Sequence, residues 1–142
     1  MNKGQDPYDL QRFVEAQSEV YPQVYSELLA GQKRTHWMWF IFPQIRGLGS
    51  SPMAMRYALA SLDEARAYLA YPLLGARLRD CTALTLAVKN KAVDEIFGYP
   101  DDLKFHSSMT LFAQAAEGES LFTQAIDRFF EGTMDRGTLQ RI

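Results

Sequence analysis

Written as a string of apolar and polar positions, the chain shows helical spacing and no clean alternation of period two. Asp6-Pro7 has the form of a helix start, an acceptor side chain followed by a proline in the first turn. Leu10, Phe13, Val14, Val20, Tyr21, Val24, Tyr25 and Leu28 then recur on one face, and Pro22 interrupts them. This predicts two helices, or one kinked helix, ending at Gly31. Ser61 and Glu64 stand as a capping box before EARAYLAY, and Pro72 opens a segment with Leu74, Leu78, Cys81, Thr82, Thr85 and Val88 on one stripe. Ala92 to Phe97 reads as a short helix closed by Gly98. Pro100-Asp101-Asp102 opens the next, carrying Leu103, Phe105, Met109 and Phe112, with its carboxylates placed for the helix dipole. Ser120 is the expected cap of a helix bearing Leu121, Phe122, Ala125, Ile126, Phe129 and Phe130, and Asp135 the cap of a last short turn. The pattern predicts an all-α fold, an irregular multihelical globule of short, proline-punctuated helices rather than a long four-helix bundle.

One stretch departs from amphipathic spacing: residues 35–51, THWMWFIFPQIRGLGSS, which hold both tryptophans. Thr35 can cap a short helix that must end before Pro43. Because that helix is apolar all round, it should be buried all round, with Trp37, Phe40 and Ile41 in the core. A second reading gives Trp37 or Trp39 to a pocket wall, where an indole face can stack on a planar ring. The glycine loop that follows carries Gln44, Arg46, Gly47, Gly49, Ser50 and Ser51 and leads into Pro52, with Ser51 as cap. Glycines admit the positive φ that turns successive amides into an anion nest, and a helix start behind such a loop attracts anions. Arg46 and Arg56 would add bidentate charge. The structural alternative is a tight turn and a cap. The motif is neither a P-loop nor a dinucleotide fingerprint.

The chain has 142 residues, 47% hydrophobic and 23% charged, which suits one domain with a substantial core; residues 1–5 are expected to be disordered. A net charge of −2 gives no bulk positive field, so nucleic acid is not an expected partner. A single cysteine, Cys81, allows no internal disulfide and no cysteine-based metal site. Two histidines without a ligand spacing give no metal centre, and no cofactor is expected. MNKGQDPYDL lacks an apolar signal core, and the longest apolar run, Trp37 to Phe42, is too short to cross a bilayer. These features point to a cytoplasmic protein without a membrane partner.

His36 and His106 are the candidate acid/base groups. Ser107 and Ser108 beside His106 read as caps or as hydroxyls bonded to backbone, since neighbours on a helix do not face each other. Asp101 and Asp102 read as dipole partners, Cys81 as inert core, and Lys89 and Lys91 as a solvated helix end.

KRTHWMWFIFPQIRGLGSS, SLDEARAYLAYPLLGARLRDC, IFGYPDDLKFHSSMTLFA and FFEGTMDRGTL together resemble an uncharacterised bacterial family of all-helical domains, from about Tyr8 to Leu139. HWMWFIFPQ followed by GLG is the specific part. Some members carry the label calpastatin, which this core-forming composition does not support, because calpastatin inhibitory segments are disordered. The resemblance implies a mainly helical single domain. It implies no activity and no site residues.

The sequence names no reaction. The functional expectation is a small-molecule or phosphate-bearing ligand, bound where the HWMW segment meets the RGLGSS loop, with metal-independent chemistry if there is any. The ligand-binding candidates are Trp37, Trp39, Gln44, Arg46, Gly47, Gly49, Ser50 and Ser51. The alternative is a protein-interaction module using exposed Tyr8, Tyr68, Tyr71 or Tyr99, or a homo-oligomeric structural domain.

Overall fold

The computed structural model describes residues 5–142. Residues 1–4 of the segment expected to be disordered lie outside the described residues, and Gln5 is exposed. Ten helices follow in order: α1 (Gln11–Ser18), α2 (Tyr21–Ala30), α3 (Met38–Ile41), α4 (Pro52–Arg56), α5 (Leu62–Ala70), α6 (Pro72–Ala87), α7 (Val93–Phe97), α8 (Asp101–Ala115), α9 (Leu121–Phe130) and α10 (Arg136–Leu139). Among the described residues there is no named strand. A single bridge pairs Ile45 with Leu59, closed by Arg46 N–H to the Leu59 carbonyl and Leu59 N–H to the Gln44 carbonyl. The fold is all-α, as the spacing predicts.

Most boundaries follow the punctuation in the sequence. Pro22 lies in the first turn of α2, which is closed by Gly31 in the left-handed conformation. Ser51, Ser61 and Asp135 each accept a backbone N–H inside the helix they precede. The first start is displaced. Asp6 does act as a cap, accepting from Leu10 and Gln11 N–H, but α1 begins at Gln11 and not at Pro7. Thr35 does not cap α3; its hydroxyl donates to Glu27 instead. Ser120 also makes no cap bond to its helix.

Helix α8 lies at the centre, packed against α5, α7, α9 and α10. Phe105, Met109, Leu111 and Phe112 on it are fully buried. Phe105 meets Phe42 edge-on, and Phe112 lies against Tyr68 and Phe122. The sharp turn from α5 into α6 depends on Gly75, where any Cβ would collide with the Leu69 carbonyl oxygen. No helix among the described residues is long and apolar enough to cross a membrane.

Candidate functional site

The aromatic half of residues 35–51 forms a closed hub. Trp37, Met38, Phe40, Ile41 and Phe42 are all buried, and only Trp39 is half-buried. The Trp37 indole N–H donates to Glu27 Oε1 at 2.9 Å. The same carboxylate accepts from Arg34 N–H at 2.8 Å, from Thr35 N–H at 3.1 Å and from the Thr35 hydroxyl at 2.7 Å. Burial pushes the Glu27 carboxyl up, but these four donors outweigh it and hold it at about 2. From α1, Gln17 donates to the Phe40 carbonyl and to the Tyr68 hydroxyl. The pocket-wall reading is therefore corrected for Trp37, whose ring is enclosed and whose one donor is occupied, and Trp39, though half-buried, does not line the cleft described next.

The polar half borders an open cleft of about 450 Å³. Gln44, Leu48, Gly49, Ser50, Ser51 and Ala54 form one wall. Pro100, Leu103, Lys104 and Ser107 at the start of α8 form the other, with Asp135 completing the lining. A volume of this order falls within the usual few hundred to ~1,000 Å³ of small-molecule sites. Leu103, expected on the core face of α8, is half exposed and lines this cleft.

The cleft is not the anion nest expected from the loop. Of the loop glycines, Gly47 has positive φ (103°), whereas Gly49 does not. Gly49 instead permits close packing on α4, since a Cβ there would come within 2.7 Å of Ala54 Cβ. The Arg46 amide is taken by Leu59 and the Ala54 amide by Ser51 Oγ. Neither Arg46 nor Gly47 lines the cleft, and both are exposed. Arg56 is turned to its neighbour, donating to the Tyr57 hydroxyl.

The two histidines are not brought together there. His36 is exposed and does not border the cleft. His106 stacks on Phe130 with ring centres 3.9 Å apart, and its Nε2 donates to the Thr133 carbonyl at 2.6 Å. Neither lines the cleft, and the His106 ring is engaged by its stack and its hydrogen bond. Cys81 is buried and its thiol is pushed up to about 12 by burial, which fits inert core. The expected tyrosine patch also changes. Tyr68 is fully buried, and Tyr71 is half-buried, leaving Tyr8 and Tyr99 exposed. Lys91 is not merely solvated, because its ammonium donates to the Gly31 carbonyl.

Three groups that the sequence did not assign to a site, Lys104, Ser107 and Asp135, give the cleft its chemistry. Lys104 Nζ lies 3.4 Å from Asp101 Oδ1 and 5.3 Å above the centre of the Trp39 ring. The other oxygen of Asp101 takes the buried Lys33 at 2.8 Å, and Lys33 in turn sits over Trp37. Asp101 is thus a bridge between two lysines rather than only a dipole partner. Asp135 Oδ2 accepts from Thr138 N–H, the Thr138 hydroxyl and the Ser107 hydroxyl. Behind this wall, Ser108 Oγ and Asp102 Oδ1 are buried without a hydrogen-bond partner among the described residues. The one sequence signal for Lys104 and Ser107 was their i, i+3 spacing, which sets them on one face of α8.

Over residues 7–142 the chain matches the family described as "Protein of unknown function (DUF1810)", and it belongs to that family. Its fold is similar to that of the conserved hypothetical protein Rv1873 from Mycobacterium tuberculosis, with 54% identity and a TM-score of 0.93. That similarity covers 94% of this chain and 96% of the other. Comparison with curated proteins finds no match.

Proposed function

We propose that this family member binds a small polar molecule in the cleft between the 44–51 loop and the start of α8. One observation carries the reading. Three segments far apart in sequence converge on a single concave space, and each contributes polar atoms beside apolar surface from Leu48, Leu103 and Pro100. Lys104 is the cation that would meet an anionic group, phosphate included, with the Ser50 and Ser51 hydroxyls on the facing wall. This reading moves the phosphate contact from the arginines of the loop to a lysine of α8. It concerns binding, and no residue is assigned a catalytic role. The buried free thiol of Cys81 suits a reducing cytoplasm as the setting.

The test is titration of 15N-labelled protein with a panel of nucleotides, sugar phosphates, free sugars and amino acids. Binding should move the amides of Gly49, Ser50 and Ser51 together with those of Lys104 and Ser107. If no compound moves both walls at millimolar concentration, the reading fails.

A further inference from the structure

Resting on that reading, we infer that the ligand is zwitterionic, with an anionic group, phosphate or carboxylate, meeting Lys104 and an ammonium group meeting Asp135. The charge inventory of the cleft carries this. Lys33, Asp101 and Lys104 form a chain of two cations and one carboxylate. Lys33 holds the shorter contact, 2.8 Å against 3.4 Å, and its side chain is only 6% exposed. The excess positive charge therefore falls on Lys104, which is the member that borders the cleft.

Asp135 is the opposite case. All its hydrogen bonds come from neutral donors, Ser107 and Thr138, and all fall on Oδ2. Among the described residues no cation stands within 4.0 Å of it, so Oδ1 is left to accept from a ligand. The two charges do not neutralise each other. Lys104 and Ser107 are one helical step apart, and Ser107 touches Asp135 at 3.1 Å, so an ammonium and a carboxylate border one cleft with a hydroxyl between them. A molecule with a single charge would meet only one of these two groups, whereas a zwitterion would make a charge-assisted contact with each. The other nearby carboxylate, Asp102, does not line the cleft.

The experiment compares four probes by the same amide shifts: inorganic phosphate, ethanolamine, phosphoethanolamine and β-alanine. At least one of the two zwitterions should bind about tenfold or more tighter than either single-charge probe, the expected return for adding a second charge-assisted contact. Lys104→Met and Asp135→Asn should each bring that zwitterion down to the single-charge level. Asparagine keeps an acceptor for Thr138, and thermal unfolding of each variant checks that the fold persists. The ranking of probes on the parent protein decides the matter even if a variant does not fold. If phosphate alone binds as well as both zwitterions, or if only nucleotides or sugars bind, the charge assignment falls while the cleft remains a binding site. If no probe and no panel compound binds, both readings fall.

Discussion

The hub around Trp37 and the cleft beside Lys104 lie on either side of the same short segment, and they treat polar groups in opposite ways. In the hub every such group has a partner: Glu27 accepts four donors, and Gln17 joins Phe40 to Tyr68. In the cleft, among the described residues, a carboxylate oxygen has no donor, a lysine has only a share in Asp101, and a buried hydroxyl behind the wall has no partner. Satisfied buried polar groups fix a structure, whereas free ones cost stability and make sense where something else binds. Trp37 and Trp39 state the contrast in two residues. Both carry a lysine above the ring, but one is enclosed and the other borders solvent.

Four substitutions test the contrast, in order of expected effect. Trp37→Ala should be the most damaging, at about 3–5 kcal/mol in urea unfolding, because it leaves a large cavity and strands the Glu27 carboxylate. A loss under about 1 kcal/mol would mean that the hub is not the rigid half.

Glu27→Gln comes next and has a pH signature. The folded carboxyl is held at about 2, below its ordinary 4.5, so its stabilisation is complete above pH 4.5 and is lost as pH falls through about 2. That shift amounts to about 3 kcal/mol at neutral pH. The parent and the variant should differ most in urea midpoint near pH 7 and converge toward pH 2. A gap that does not change with pH would contradict the role given to the carboxylate.

Ser108→Ala should go the other way, gaining about 1 kcal/mol, because it removes a buried hydroxyl that has no partner among the described residues. Destabilisation by calorimetry would show that the hydroxyl is engaged. Lys104→Met should change stability least, by under about 1 kcal/mol, since Asp101 keeps Lys33 and the lost contacts are partly exposed. Its effect belongs to ligand affinity. A large drop in melting temperature would move Lys104 into the structural half.

The hub was largely readable in advance. An apolar run too short and too uniform for an amphipathic helix has to be enclosed, and Trp37, Phe40 and Ile41 are. The cleft was half readable. Gln44, Gly49, Ser50 and Ser51 do line it, but Arg46 and Gly47 do not, because the Ile45–Leu59 bridge fixes the loop locally. The facing wall could not be read, since the value of Lys104 and Asp135 depends on which distant segments they meet, Trp39 for the one and Ser107 for the other.

Sequence by itself determined the local structure: helix spacing, proline and glycine boundaries, serine and aspartate caps, and the burial of the aromatic run. These follow from short-range sterics, hydrogen bonding and periodicity, which act within a few residues. Only the tertiary structure decided which charges are neutralised. Among the described residues Asp101 is occupied by two lysines and Asp135 by none, although both are aspartates beside a helix start. That difference is set by which helices pack together, and it turns one side of a glycine loop into a place where a ligand can be held.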